Sequence, residues 1–318
     1  MMIDLPEERA EVFKEGWSIL NNWFYDPKFH GVDWKAMLEK YLPLARQAVA
    51  RRDFDTVMLH MLGELNASHL GIYPPDDDSP YPGTGYLGID LDPAYSGAGF
   101  KILRVLPKSP ADDPVSPLKA GDVITSVNDH TFTAEDNFFH PFQGTAGQRV
   151  ALGVQRDGKE LMMAFIPISS GALRELLFQD YVDQMRAYVH DKSGGKLGYI
   201  AMRYMDQDNL DLFSAELYAE AYDKDGILID VRNNGGGWTT DLVLNHLAQK
   251  PHAVTIPRGG GKGYPDIERK QIFTWKKPFI VLCNQDSFSN AEIFSHAIKT
   301  LGLAKLVGVE TNGSVIST

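Results

Sequence analysis

Cysteine is nearly absent from this sequence, with Cys283 as the single example among 318 residues. One thiol cannot form an intrachain disulfide or a multi-cysteine metal site, so neither kind of scaffold applies. Basic residues are also in deficit, since 31 lysines and arginines face 42 aspartates and glutamates and leave a formal net charge of −11. Because phosphate binding needs a basic face, this balance excludes nucleic acid as the main partner.

Long apolar runs are missing as well, and no stretch is long enough to cross a membrane. The N-terminus MMIDLPEERAEVFKEGW is acidic and amphipathic, unlike the basic and then apolar start of a secretory signal. We therefore expect a cytoplasmic protein without a membrane span, or a periplasmic one if a signal precedes this chain. The 43% of hydrophobic and 23% of charged residues are typical of globular proteins.

Four segments follow one another along the chain. Apolar residues at helical spacing predict a helical domain over residues 1–80. Short strand-like runs between turn clusters predict a small β domain over residues 85–168, and helical spacing then predicts a connecting helix over 169–195. Over residues 196–318, strand-type runs alternate with helical patterns, which predicts an α/β core. The expected fold class is therefore multidomain α+β, with a domain boundary near residues 76–85.

Ser289 lies where the strand-type run FIVLC gives way to the helical pattern NAEIFSHAIKT. A hydroxyl at the positive end of a helix dipole, where negative charge is favoured, suits a nucleophile. The same residues also form a capping box, in which Ser289 and Glu292 satisfy amides of the first turn. Spacing alone favours the cap over the nucleophile.

Consecutive glycines follow a second strand-type run in GILIDVRNNGGGW. Glycine lets main-chain amides approach a reacting carbonyl oxygen closely, so Gly235, Gly236 and Gly237 are candidates for an oxyanion hole. A flexible loop or a phosphate-binding turn is the alternative, although neither GxGxxG nor GxxxxGK[ST] is present.

Nine histidines leave the choice of a general base open. His69 is distinguished by its setting in GELNASHLGIY, where a helix ends and an extended run begins. A side chain at such a junction can face a cleft. His246 and His296 fall within helical patterns, which favours packing or surface roles for them.

Three separated stretches, ELNASHLGIY, ILIDVRNNGGGW and NQDSFSNAEIFSHAIKTLGLAKLVG, together resemble tricorn-type serine peptidases and occur in the same order. The wider group includes the C-terminal processing peptidases and combines a PDZ-like domain with a crotonase-like α/β core. The resemblance covers nearly the whole chain. Ser314 stands where the sister branch has a catalytic lysine, so the sequence is more similar to the tricorn-like branch.

The resemblance implies that Ser289 is the nucleophile, that His69 is the general base, and that Ser68 helps to orient His69. Family members also use a glutamate near their C-terminus to complete a tetrad, and its position falls beyond Thr318. The resemblance also implies that this chain lacks the N-terminal β-propellers of the full tricorn enzyme, since it starts at the helical domain. We therefore expect this chain by itself to be a weak or inactive enzyme.

By the same resemblance, the oxyanion amides fall on Asn290 and on Gly236 or Gly237, with Gly236 preferred. These groups supply what peptide-bond hydrolysis needs: an activated hydroxyl, a base that later protonates the leaving amine, and donors for the oxyanion. This chemistry requires no metal and no organic cofactor.

Residues 85–168 resemble a PDZ domain, whose carboxylate-binding loop falls on Tyr86, Leu87, Gly88 and Ile89. Such a domain captures an extended peptide by strand addition. A purely structural spacer is the alternative.

The sequence therefore predicts a serine endopeptidase that hydrolyses oligopeptides or unfolded proteins through an acyl-enzyme intermediate. Peptide or unfolded-protein substrates are the expected partners, and a further copy of the chain in a homo-oligomer is an additional candidate partner. A non-catalytic peptide-binding protein with the same fold is the second hypothesis, and a crotonase-type acyl-transfer enzyme is the third.

Overall fold

The structure, a computed structural model, describes residues 4–73, 83–249, 256–261 and 274–316. The chain folds as two units, one of residues 1–75 with 193–318 and one of residues 76–192. The N-terminal helices thus belong to the same unit as the α/β core. The domain boundary predicted near residues 76–85 lies mostly outside the described residues.

Three helices form the N-terminal part: α1 (Leu5–Trp23), α2 (Trp34–Gln47) and α3 (Arg51–Gly63). Asp4 and Asp33 begin the first two, because their carboxylates accept hydrogen bonds from first-turn amides at 3.4 and 3.0 Å. The apolar faces meet around Phe13 and Met61, which are fully buried. This arrangement confirms the N-terminal helical bundle of the expected fold class.

Six strands form an antiparallel sheet in the second unit: β1 (Ile89–Leu91), β2 (Phe100–Val105), β3 (Val123–Val127), β4 (His130–Thr131), β5 (Val150–Arg156) and β6 (Lys159–Phe165). The order is β1-β2-β3-β5-β6, with β4 paired to β3. Within the described ranges, β1 is an outer strand. Its second edge pairs with no other described strand.

Helix α4 (Ser170–Ser193) corresponds to the predicted connecting helix. It is the longest helix that the structure describes, at 24 residues, and charged side chains recur along it. Among the described residues, none of the helices combines the length and apolar character that crossing a membrane requires.

The α/β core consists of β7 (Leu197–Ala201), α5 (Gln207–Ala219), β8 (Gly226–Asp230), α6 (Thr240–Ala248), β9 (Phe279–Cys283), α7 (Asn290–Thr300) and β10 (Lys305–Gly308). The four strands are parallel and lie in the order β7-β8-β9-β10. Since the carboxyl ends of parallel strands share one edge, the loops 202–206, 231–239 and 284–289 meet there. This edge carries the glycines and Ser289.

Candidate active site

Ser289 has a main-chain conformation that few non-glycine residues adopt, with φ 54° and ψ −116°. Such a conformation is strained and tends to occur at functional sites. The Ser289 side chain makes no capping hydrogen bond to helix α7. The capping role that the spacing favoured is therefore not realised by the hydroxyl, which is directed elsewhere.

The His69 imidazole lies beside that hydroxyl, with Nε2 3.0 Å from Ser289 Oγ. His69 also has a left-handed conformation, with φ 62°, and its ring stacks on Phe288 at a centroid distance of 4.9 Å. The two residues are 220 positions apart in sequence but belong to one unit. Their separation is that of a nucleophile and its base.

Ser68 determines which nitrogen of His69 carries the proton. The Ser68 hydroxyl donates its single hydrogen to the main-chain oxygen of Ile316 at 2.9 Å, so it can only accept from His69 Nδ1, 3.1 Å away. His69 therefore carries its proton on Nδ1 and presents the Nε2 lone pair to Ser289. Among the described residues, no glutamate accepts from Ser68, and the Ile316 carbonyl takes that place.

The Glu292 carboxylate fixes the backbone of Ser289 by accepting a hydrogen bond from its amide. Only 4% of this glutamate is exposed. One carboxylate oxygen accepts the amides of Ser289 and Ser314, each at 2.9 Å. The other oxygen accepts the Thr311 hydroxyl at 2.9 Å and the Gly313 amide at 2.5 Å. The carboxylate thus joins the strained residue to the segment after β10, a role that the capping-box pattern predicted only in part.

We expect Glu292→Gln to destabilise the fold by about 3 kcal/mol, because the side-chain amide would face N–H donors that now bind a buried carboxylate. Release of the Ser289 backbone should also slow acylation by roughly 100-fold, since small displacements of reacting atoms are costly. Urea unfolding and the rate of fluorophosphonate labelling measure the two effects. Glu310→Gln, at an exposed glutamate nearby, is the matched control, and equal values for both variants would contradict the assignment.

The glycine loop offers one free amide rather than two. The Gly236 amide donates to the Asn234 side chain at 2.8 Å, so it is already engaged. No hydrogen bond joins the Gly237 amide to another described residue. The Asn290 amide opens helix α7, where first-turn amides lack intrahelical acceptors. The Gly236 amide preferred from the sequence is therefore engaged, and the amides of Gly237 and Asn290 are the candidate donors that remain.

Gly236 instead allows the two loops to touch. Its φ is 81°, and a Cβ there would lie 2.8 Å from Ser289 Cβ and 2.7 Å from the Phe288 oxygen. The Phe288 amide also donates to the Asn234 oxygen at 2.9 Å. A side chain at position 236 would force the nucleophile away from the glycine loop.

We expect Gly236→Ala to lower turnover by roughly 100-fold to 1,000-fold, the effect of disturbing an oxyanion hole. Gly158→Ala is the matched control, because Gly158 has a similar φ of 74° but a Cβ added there would meet nothing within 4 Å. Both variants therefore carry similar backbone strain. Comparison of their kcat/KM values isolates the steric effect, and equal losses would argue against it.

Asparagine side chains bind the loops to one another. Asn233 and Asn284 exchange two hydrogen bonds of 2.9 Å between the β8 and β9 loops. The Asn290 side chain accepts from the Thr240 amide at 2.9 Å, which links α7 to α6. The sequence pointed only to the main-chain amide of Asn290 and predicted none of these side-chain contacts. The cross-loop pairing of the asparagines holds the site rigid.

Cys283 does not compete as the nucleophile. It is buried at the end of β9, and this burial raises the pKa of its thiol. A protonated thiol is a poor nucleophile. Within the described part of the chain, no group of three His, Cys, Asp or Glu side chains could hold a metal ion.

In the PDZ-like unit, Tyr86 is already paired. Its amide and carbonyl form two 2.9 Å hydrogen bonds with Ile168, so Tyr86 offers no free amide for a peptide carboxylate. The carbonyls of Leu87 and Gly88 accept from other main-chain amides, whereas their own amides have no acceptor among the described residues. Ile89 begins the outer strand β1. Of the four residues predicted to bind a carboxylate, Leu87 and Gly88 are therefore the ones whose amides remain as candidate donors.

Comparison with known protein families gives three matches along the chain. Residues 196–318 match Peptidase family S41, residues 5–63 match the Tricorn protease C1 domain, and residues 85–164 match the PDZ domain. The matches follow the order of the helical, β and α/β segments described above.

Known relatives match the chain from end to end. Tricorn protease homolog 1 of Streptomyces coelicolor is 31% identical over 99% of this chain, and Tricorn protease of Thermoplasma volcanium is 25% identical over 98%. The crystal structure of the tricorn protease superposes with a TM-score of 0.79 at 25% identity, covering 98% of this chain. The chain spans about 30% of the length of each of these proteins.

Proposed function

Because residues 196–318 match Peptidase family S41, residues 5–63 the Tricorn protease C1 domain and residues 85–164 the PDZ domain, we propose that this chain is a serine endopeptidase. Its substrates are oligopeptides or unfolded proteins, which it hydrolyses through an acyl-enzyme intermediate. One observation carries the proposal: an unbroken hydrogen-bond chain runs from Ser68 through His69 to Ser289. A non-catalytic peptide-binding protein would have no use for that chain.

In acylation, His69 Nε2 takes the hydroxyl proton as Ser289 Oγ attacks the carbonyl carbon of the scissile peptide bond. The amides of Gly237 and Asn290 donate to the oxyanion that forms. The tetrahedral intermediate collapses when Nε2 returns the proton to the leaving amine, which departs and leaves an ester on Ser289. Throughout, His69 Nδ1–H keeps its hydrogen bond to Ser68 Oγ, so the imidazolium keeps one orientation.

In deacylation, the same atoms act on water. His69 Nε2 removes a proton from a water molecule that attacks the ester carbonyl, and the proton then passes to Ser289 Oγ as the acid leaves. The enzyme returns to its initial state with the peptide bond replaced by a carboxylate and an amine. No metal or organic cofactor takes part in either step.

Fluorophosphonate labelling followed by intact mass measurement tests the proposal. We expect one phosphonyl adduct, located at Ser289, and competition by added oligopeptide. A protein that binds peptides but forms no adduct would be the non-catalytic alternative, and an adduct that short acyl thioesters prevent but peptides do not would favour acyl transfer.

We further propose that the PDZ-like unit binds peptides with a free C-terminal carboxylate at the Leu87 and Gly88 amides, with the peptide strand added to β1. Calorimetry with free-acid and amidated forms of one peptide tests this, and the free acid should bind at least about tenfold more tightly because a carboxylate accepts charge-assisted hydrogen bonds. Equal affinities, or no binding, would reduce the unit to a spacer.

Self-association and a cytoplasmic location stay predictions from the sequence. Strand β10 is an outer strand of the core sheet within the described ranges, and an unpaired edge favours pairing with another chain. Light scattering after gel filtration measures the mass in solution and tests the first of these predictions.

A further inference from the structure

An apolar groove in the N-terminal helices has His69 in its lining. Its volume is 340 Å³, and α1, α3 and the extended segment that begins at His69 form its walls. This is within the range of sites that hold small ligands. The proposed mechanism uses only His69 from this lining, so the remaining walls have no role yet.

The walls present large apolar side chains to solvent. Ile19 and Trp23 of α1 are 54% and 81% exposed, and Leu70 and Ile72 on the opposite wall are half-buried. Apolar side chains exposed together mark binding surfaces. Among the described residues that line the groove, His69 is the one titratable group. A charged guest would therefore lose hydration without a partner, whereas an apolar guest would gain.

The chemistry of His69 decides which half of a substrate reaches this groove. His69 Nε2 protonates the leaving amine, so the first residue after the scissile bond begins within hydrogen-bond distance of the ring. An extended peptide advances about 3.3 Å per residue. The next two or three residues are therefore within reach of the groove that His69 lines. The other half of the substrate remains on Ser289 as the ester.

We propose that this groove binds apolar side chains of the first residues after the scissile bond. The enzyme then prefers leucine, methionine or phenylalanine in the leaving-group half of its substrates and disfavours acidic residues there. This inference rests on the proposed peptidase function, because the orientation of the peptide follows from the role of His69.

Binding to a Ser289→Ala protein tests the groove without turnover. The probes are fluorescent nonapeptides that share one sequence before the intended scissile bond and carry Leu-Leu, Ala-Ala or Asp-Asp after it. Anisotropy should give at least about tenfold tighter binding for Leu-Leu than for Ala-Ala, the scale of discrimination by an apolar pocket. Asp-Asp should bind most weakly.

The added substitutions Ile19→Ser and Trp23→Ala should reduce the Leu-Leu to Ala-Ala ratio to within about twofold, since they remove wall area at exposed positions. Leu59→Ser is the matched control, because Leu59 is 47% exposed on α3 but does not line the groove. A ratio near one in the parent protein, or a ratio that both wall variants leave intact, would overturn the proposal.

Cleavage of the same peptides by the protein with Ser289 intact separates this inference from the function on which it rests. Equal turnover of the three peptides would support the peptidase function and contradict the role proposed for the groove. Discrimination in binding without turnover would retain a peptide-binding groove and contradict the peptidase. Turnover that favours the Leu-Leu peptide in the Leu59→Ser control, and loses this preference in the Ile19→Ser and Trp23→Ala variants, supports both the groove and the peptidase function.

Discussion

Ser289→Ala is expected to abolish the proposed peptide hydrolysis, with a loss in kcat of up to roughly 10⁶-fold that depends on how active the parent chain is by itself, because no other group can form the ester intermediate. The fold should be nearly unchanged. Since the Ser289 side chain makes no capping bond, its removal costs the helix no hydrogen bond. Alanine meets the same backbone strain at φ 54°, so the strain does not change with the substitution. Hydrolysis of an internally quenched peptide and urea unfolding measure the two quantities.

The control for this variant lies on the same helix. Ser295 is buried, and its hydroxyl donates to the Ala291 oxygen at 2.8 Å. Ser295→Ala removes a hydroxyl from α7 away from His69 and should keep activity within about twofold, at a stability cost of about 1 kcal/mol. Turnover by Ser289→Ala at the level of Ser295→Ala would show that another residue is the nucleophile.

His69→Asn lowers kcat by roughly 10⁴-fold to 10⁶-fold, because the Ser289 hydroxyl then has no base and the leaving amine has no acid. Asparagine is the informative replacement, since it tolerates the left-handed backbone that His69 adopts at φ 62°. The loss therefore reports chemistry rather than backbone strain. Fluorophosphonate labelling should slow together with peptide turnover, because both need the same proton transfer.

The matched variant is His296→Asn, at an exposed histidine of α7, which should leave turnover unchanged. Combining His69→Asn with Ser289→Ala should lower the rate no further than either substitution alone, since the two residues act as one unit. If the two losses multiply instead, His69 and Ser289 act independently and the proposed mechanism is wrong.

Much of the architecture could be predicted from local patterns. Strands such as Phe279–Cys283 are short apolar runs, and helices such as Asn290–Thr300 keep helical spacing, so each was recognisable by itself. Helix α5 was not predicted, although Leu210, Phe213 and Leu217 keep helical spacing and only the buried Glu216 departs from the apolar pattern. Strand β10 was not predicted, because its four residues are too few to show the alternating pattern of a strand.

The candidate site was harder, because its contacts join distant parts of the chain. The pairing of His69 with Ser289 came from a resemblance to known peptidases, since periodicity carries no information about partners 220 positions apart. The choice between cap and nucleophile for Ser289 required the backbone angles. The use of the Gly236 amide by Asn234 required side-chain geometry, and no spacing rule distinguishes Gly236 from Gly237.

The long sequence separation within the catalytic hydrogen-bond chain has a consequence for biosynthesis. His69 leaves the ribosome 220 residues before Ser289, which at bacterial and eukaryotic elongation rates is an interval of roughly 10 to 45 seconds. Ile316, which accepts from Ser68, follows 248 residues after Ser68. His69 is therefore synthesised well before Ser289. The contact between Ser68 and Ile316, which orients His69, can form only later still. Under the proposed mechanism, a half-made copy cannot cleave the unfolded chains near it on a polysome, because Ser289 and His69 must both be present before hydrolysis can begin.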